Sequence, residues 1–395
     1  MSRGMELVPP TPKPWTTFLL HECCPCDTFP AYNPSWEGWK EVEHDTLNEL
    51  KDQIDALERN GTWELRKKLA NPYELVYTNE DKKCPISLAN AKPLSRSYFK
   101  MIEMLDLIGF FQRFKKLSQL RSAHVCEGPG GFIQAFLEQS NRKKSVEFVL
   151  AMTLKPTHAQ IPGWKRAMQF LKKHQELKIT YGEDGTGDIY NLENQASFVE
   201  TLGEKKVQLF TADGGFDFKM DYIHQEQTAF RLIACSFAMA FQTLAPGGIC
   251  IVKLFDTFGK ATLELLGYVS CYFKQWTLYK PAMSRPCNSE RYFIGVGFLG
   301  ETEHSKDMFL RLQKDLSEKS IKDLESMFVP SDCFSESVNI IQTFQKELEQ
   351  HQVKVLTNAI HADLENKHIY WNQSYHRSEE WCKRFQINYK QIIAH

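Results

Sequence analysis

No run of about 18 apolar residues occurs in this chain, the length a membrane-crossing helix needs, so neither a membrane span nor a membrane partner is expected. The opening stretch, MSRGMELVPPTPKPW, lacks the apolar core of a secretory signal. An intracellular setting is expected, cytoplasmic or nuclear, a virus-encoded enzyme in a host cytoplasm included. An excess of one charge is also missing. Lys and Arg number 48 against 49 Asp and Glu, a formal net charge of −1, so nucleic acid can be met only through a local basic patch. Candidate patches are Arg113, Lys115 and Lys116, then Arg142, Lys143 and Lys144, then Lys172 and Lys173; each also reads simply as a solvated helix end or loop. Internal repeats and low-complexity tracts are absent. With 395 residues, 42% hydrophobic and 25% charged, the chain suits one large globular domain with additions, or two domains.

Cysteine is not scarce, at 11 residues, but it is scattered. Cys235, Cys250 and Cys271 sit inside apolar stretches, as reduced buried thiols of an intracellular protein do. One cluster differs. HECCPCD places His21, Cys23, Cys24 and Cys26 with the spacing of half a zinc site. No second half with paired Cys/His spacing follows, and no metal is expected.

Three regions are expected: a mostly helical N-terminal extension over 1–92, a domain over 93–300 in which helices alternate with short apolar strands, and a helical, charged region over 301–395. Residues 44–69 favour helix and break at Asn60-Gly61. A helix is expected from Ser95, as N-cap, through RSYFKMIEMLDLIGFF. Strands are expected at SAHVCE, VEFVLAMTL, VQLFTAD, GICIVKLF and ERYFIGVGFL, with helices at 131–140, 162–174 and 224–243 between most of them. This alternation predicts an α/β fold, a mostly parallel sheet covered on both faces, with ligands at the carboxyl ends of its strands. Near the C-terminus, Phe309, Leu312, Leu316, Leu324 and Met327 suggest one apolar face. IYWNQSYHRSEEWCKRFQINYK reads as a helix docked on the core, or else as an RNA contact.

The stretch HVCEGPGGFIQAF places Gly128, Gly130 and Gly131 at a strand-to-helix junction, where backbone approaches a nucleotide closely. It is not a P-loop, because Phe132 and Ile133 stand where a Lys and a Ser/Thr would be needed. A dinucleotide fold would place an acid at the end of the second strand, and LAMTLKP has none. A nicotinamide oxidoreductase is disfavoured accordingly. A nucleoside without phosphate, S-adenosylmethionine, suits the turn better: the glycines admit its amino-acid end, and Asp184 and Asp188 of GEDGTGD could meet its adenosine half.

SRSYFKM, CEGPGGF, DGTGDI, TADGG, GGICIVKLF and RPCNSERYFIG, in this order, resemble the FtsJ-type ribose methyltransferases over roughly residues 93–300. DGTGDI and the NSE-Y piece look closer to the branch that methylates capped messenger RNA. The resemblance implies a Rossmann-like fold with a mostly parallel seven-stranded sheet, S-adenosylmethionine as cofactor (with S-adenosylhomocysteine as product), and no metal. It implies a cofactor pocket on Glu127, Gly128, Pro129, Gly130, Gly131, Phe132, Thr153, Asp184, Asp188 and Asp213. It also implies a catalytic Lys–Asp–Lys–Glu tetrad on Lys100, Asp213, Lys253 and Glu290. Independently, Lys253 follows Ile249, Cys250, Ile251 and Val252 in a strand that should be buried, and a buried lysine needs a partner such as Asp213 or Glu290.

The expected reaction is displacement of the cofactor's methyl by a ribose 2′-hydroxyl near the 5′ end of capped mRNA. Lys253 receives or organises the proton, or all four groups chiefly orient the hydroxyl. As a base at neutral pH, Lys253 would need a pKa below its usual value of about 10.4. Ser284, Arg285 and Asn288 lie close to Glu290 in sequence, and Arg285 could reach an RNA phosphate. The rival readings are a 2′-O-methyltransferase of ribosomal or transfer RNA and a non-catalytic methyltransferase-fold scaffold. Oligomeric state and protein partners are open.

Overall fold

A computed structural model describes residues 13–23, 29–41, 43–78, 86–157, 163–216, 223–328 and 334–391. In chain order the elements are β1 (His21–Glu22), α1 (Asp45–Arg59), α2 (Trp63–Leu69), α3 (Ser97–Leu107), α4 (Phe110–Arg113), β2 (Gln119–Val125), α5 (Gly131–Asn141), β3 (Ser145–Met152), α6 (Met168–Leu171) and β4 (Leu177–Thr180). There follow α7 (Leu192–Leu202), β5 (Val207–Ala212), α8 (Gln225–Thr243), β6 (Leu244–Leu254), α9 (Lys260–Ser270), β7 (Phe273–Tyr279), β8 (Arg291–Phe298), α10 (Glu303–Glu318), α11 (Ser335–Ile360) and α12 (Lys367–Arg384).

The strands form one sheet in the order β1-β7-β8-β6-β5-β2-β3-β4. From β4 through β6 all neighbours are parallel; β8 runs antiparallel between β6 and β7. Seven strands make the body of the sheet, and an eighth of two residues, β1, caps its edge against β7.

Alternation along the strands sorts side chains onto two faces. Val125, Met152, Phe210, Ala212, Cys250 and Val252 pack under α8, α9 and α10. Leu120, Val149, Ala151, Leu209, Ile249, Ile251, Ile294 and Val296 pack under α3, α5 and α12. Phe309, Leu312, Leu316, Leu324 and Met327 all join the first core, although only the first three belong to α10. Trp381 and Cys382 of α12 are buried in the second core, which makes this C-terminal stretch a docked helix. Cys235, Cys250 and Cys271 are buried and joined in no disulfide.

Several local expectations are corrected. Ser95 does not cap α3: the N-cap is Arg96 with no side-chain cap, while the Ser95 hydroxyl bonds that of Ser97 at 2.5 Å. The helix expected to run on through Phe110 and Phe111 breaks at Gly109, which takes φ 61°. In place of the helix expected at 162–174, the described residues hold a 3-10 turn, Trp164–Ala167, and the single turn α6, and of these residues only Trp164 and Ala167 are buried. Of the HECCPCD cluster, Cys24 and Cys26 lie outside the described residues. His21 pairs with Trp276 in the sheet, and the Cys23 thiol donates to the Cys271 carbonyl at 3.5 Å.

Candidate active site

The parity that buries Ile249 and Ile251 carries Lys253, two residues further along β6, onto the same face, beneath α3. On β5 the same step leads from Leu209 through Thr211 to Asp213, just past the strand end. On β8 it leads backward from Ile294 through Tyr292 to Glu290. Lys100 comes down from α3, on the layer above. The four sequence-predicted residues meet there. Lys100 Nζ lies 2.6 Å from Glu290 Oε1. Lys253 Nζ lies 3.6 Å from Asp213 Oδ1 and 3.7 Å from Glu290 Oε2. Tyr292, which the sequence reading quoted only as part of a motif, links them: its hydroxyl donates to Asp213 Oδ1 at 2.8 Å and accepts from Lys100 Nζ at 3.4 Å.

Two cations and two anions, all largely buried, neutralise one another, which is what makes so many charges tolerable beneath a helix. Burial pushes the Glu290 carboxyl up, but Lys100 and Lys253 outweigh it and hold it well below the carboxylate range. Burial pulls Lys253 down, but Asp213 and Glu290 outweigh that and hold its pKa above the usual lysine value. In the free protein these two carboxylates therefore favour the ammonium form of Lys253. Burial, then Asp213 and Glu290, keep Tyr292 a neutral phenol.

The glycine turn sits at the end of β2. Cys126 there adopts φ 57°, uncommon for a residue with a side chain, and the Gly128–Pro129 peptide is cis. Glu127 is turned inward and buried, its Oε1 accepting from the Thr211 hydroxyl, which in turn bonds His124 Nδ1 at 2.7 Å. Burial and the nearby Asp213 raise the Glu127 carboxyl well above its ordinary range, against Thr211 and Lys253. The glycines do more than open space. A Cβ on Gly131 would lie 2.2 Å from both the Ser95 and Ser97 hydroxyls, so Gly131 lets α3 close onto α5. Gly130 takes φ 99°, and a Cβ there would point at Trp164, 3.2 Å away. Phe132 is fully buried, its ring 5.8 Å from that of Tyr292, and supports the phenol from beneath.

Thr153, also buried, follows β3, and Gly187 packs so closely on it that a Cβ would lie 2.0 Å from the Thr153 carbonyl oxygen. Gly187 and Asp188 thereby lie beside the strand ends, and the Asp188 charge adds to those raising Cys126, whose thiol burial pushes up to about 12. Asp184 is exposed. Its carboxylate accepts from Thr186 N at 2.8 Å and from Asn191 Nδ2 at 2.9 Å, within its own loop.

Sequence reasoning missed what holds the loop between β7 and β8. Lys280 donates to the carbonyls of Asn288 at 2.6 Å and Glu290 at 2.8 Å. Burial lowers the Lys280 pKa to about 7. Arg285 is not free for a phosphate: it grips Glu74 with two bonds, Nε to Oε2 at 3.1 Å and Nη2 to Oε1 at 2.9 Å. A cavity of about 300 Å³ opens at Glu290 among Lys51, Trp63, Phe216, Phe255 and Asn288. A larger one, about 690 Å³, lies across the loop among Phe18, Tyr73 and Phe344, and reaches Lys280 but none of the four charged residues. The basic clusters of residues 113–116 and 142–144 meet at the amino ends of β2 and β3, away from the four charged residues, where Lys144 Nζ donates to the Lys115 carbonyl at 2.8 Å. Among the described residues no group of three or more His, Cys, Asp or Glu side chains could hold a metal ion, and no helix is long and apolar enough to cross a membrane.

Residues 93–298 match the family described as FtsJ-like methyltransferase. Among curated proteins, "Cap-specific mRNA (nucleoside-2'-O-)-methyltransferase 1" of Trypanosoma cruzi (strain CL Brener) is 28% identical over 83% of this chain and 86% of its own length. The protein of the same name from Leishmania braziliensis is 28% identical over 82% of this chain and 80% of its own. That of Homo sapiens is 31% identical over 83% of this chain but only 39% of its own.

Proposed function

Starting from a chain that belongs to the FtsJ-like methyltransferase family, we propose that it moves a methyl group from S-adenosylmethionine to a ribose 2′-hydroxyl near the 5′ end of capped mRNA, with Lys100, Asp213, Lys253 and Glu290 as the reacting site. The observation that carries this reading is the convergence of those four side chains, from four separate segments, with Lys100 and Glu290 2.6 Å apart. The names of the relatives support the capped substrate. Residues 93–300 then form the catalytic domain, and 1–92 and 301–395 are additions to it.

The residues beside the tetrad suit the cofactor. The buried Glu127 and the acids Asp188 and Asp213 stand at the strand ends, beside a left-handed turn at Cys126 and Gly130 that brings backbone close. A buried carboxyl such as that of Glu127, whose ionised form burial disfavours, gains from a cation beside it, which suits an ammonium and ribose hydroxyls. S-adenosylmethionine supplies a methyl carbon made electrophilic by its sulfonium. The chain's own residues supply orientation and charge. As an ammonium, Lys253 orients the attacking hydroxyl and stabilises negative charge as it develops on the oxygen, and the hydroxyl's proton passes to the carboxylate of Asp213, whose Oδ1 lies 3.6 Å from Lys253 Nζ. Asp213 and Glu290 hold that ammonium in place, and Lys100 with Tyr292 fixes the two carboxylates. Orientation of this kind supplies much of a methyl transfer's rate. The 300 Å³ cavity is the proposed seat of the RNA 5′ end, because it reaches Glu290 and offers the ring of Phe216, 44% exposed, for stacking on a base.

The test is transfer of labelled methyl to RNAs that differ only at the 5′ end, with nuclease mapping of the product. Transfer should require the cap and place the label on a ribose 2′-oxygen. Lys253→Ala should lose about 100-fold or more in rate while cofactor affinity by calorimetry is retained. Equal transfer to uncapped ribosomal or transfer RNA would move the substrate to those classes. Robust turnover by Lys253→Ala would remove the catalytic assignment.

A further inference from the structure

We infer that Glu74, in the N-terminal addition, is a positioning residue for methyl transfer: it ties the helix carrying Lys100 to the loop carrying Glu290. The inference rests on the tetrad reading above and deepens it. Glu74 is fully buried in a 3-10 turn, Glu74–Val76, outside the FtsJ-like segment. Arg285, five residues before Glu290, grips its carboxylate with two bonds. Arg96, one helical turn before Lys100, reaches the same carboxylate at 3.4 Å. Arg96 Nε also donates to the Met283 carbonyl of the Glu290 loop at 2.9 Å. Asn71 Nδ2 at 2.7 Å and the Thr78 hydroxyl at 3.1 Å complete the set of donors to Glu74.

Two guanidinium groups are thus drawn to one point by a single anion, and the segments they belong to carry the two members of the 2.6 Å Lys100–Glu290 pair. Without the anion, Arg96 and Arg285 repel each other, and Arg96 keeps only carbonyl partners, those of Met283 and Tyr77. Burial pushes the Glu74 carboxyl up, but Arg96 and Arg285 outweigh it and hold its pKa at about 2, so the tie persists across the neutral range. Helix α3 and the loop would then be freer to shift against each other, and with them Lys100 and Glu290. A displacement of order 1 Å at a reacting site costs up to about 100-fold in rate.

The experiment uses the full chain and capped RNA, at temperatures well below each variant's unfolding midpoint. Glu74→Gln should lower kcat by about 10–100-fold, with KM for capped RNA and Kd for S-adenosylhomocysteine each changed by less than about 3-fold. Glu74→Asp should recover part of that loss. Arg285→Lys keeps the charge but not the fork, and should lower kcat in the same sense. If Glu74→Gln does not unfold cooperatively, Arg285→Lys decides: a lowered kcat supports the tie, and an unchanged kcat overturns it. A folded Glu74→Gln with kcat within about 2-fold of wild type overturns it as well. Wild-type protein inactive on capped RNA would instead sink the proposed function, which separates the two failures.

Discussion

Glu290 is the residue on which the site's electrostatics turn. Its carboxyl is held below the ordinary 4.5 despite burial, so ionised Glu290 stabilises the fold above that pH, and the contribution is lost as pH falls through the lower folded value. Lys253 acts in the opposite sense. Its pKa is raised, so its contribution is complete below the ordinary 10.5 and is lost only as pH rises past the folded value. The pairs are therefore intact from mildly acidic to mildly basic solution. Urea unfolding across the acid range should show wild type losing stability below about pH 4.5, and Glu290→Gln losing less over the same window. Identical acid slopes for the two proteins would mean that Glu290 is not held as described. Lys253 was legible in the sequence because an apolar strand isolates it. Glu74 was not: a lone glutamate reads as a surface charge until the fold brings two arginines to it.

Among the elements, α3 and α5 meet closely because Gly131 has no side chain. Gly131→Ala would set a methyl against the Ser95 and Ser97 hydroxyls and the Tyr98 backbone nitrogen, 2.2, 2.2 and 2.9 Å from where it must sit. Overpacking of this kind costs about 1–3 kcal/mol. Thermal unfolding should register that cost, and methyl transfer should fall with it, because α3 carries Lys100. A Gly131→Ala protein with wild-type midpoint and rate would mean that α3 moves without consequence. Gly130→Val would strain a φ of 99° and press on Trp164, 3.2 Å from where its Cβ must sit.

Strands β2, β3, β5, β6 and β8 were readable as apolar runs between turns. Strand β4 (LKIT) is four residues long and half-exposed at the sheet edge, so it has little apolar signal. In β7, FKQWTLY puts Lys274 and Gln275 beside Phe273 at the exposed end, which masks the alternation. Helix α7 is announced only by its N-cap Asn191, which accepts from Glu193 N.

At the scale of the whole molecule, helices on either side of the FtsJ-like segment meet beside the four charged residues and clamp the strand ends that carry them. Asp256, three residues past Lys253, is buried between Lys51 of α1 at 3.1 Å and Arg291, the residue after Glu290, at 2.9 Å. Arg291 also reaches Gln345 of α11, and Gln352 of α11 donates to the Cys287 carbonyl at 3.0 Å. Removing one partner of a buried charge network costs up to roughly 3–5 kcal/mol, and Lys51→Met should lose a sizeable part of that because Asp256 keeps only Arg291. A urea midpoint unchanged from wild type would show that α1 is dispensable to the clamp. This clamp was not visible in the sequence, which carried helix signals over residues 1–92 and 301–395 and a docked helix near the C-terminus but nothing to join Lys51, Asp256 and Gln345.

Strand β8 runs against its neighbours, and this has a further consequence. Lys253 and Tyr292 lie directly opposite each other on β6 and β8, so ladder hydrogen bonds fix their spacing. Lys100 alone arrives from outside the sheet. Any slide of the helical layer across the strands would be felt first in its separation from Glu290, while the distances among the groups borne by β6 and β8 stayed constant.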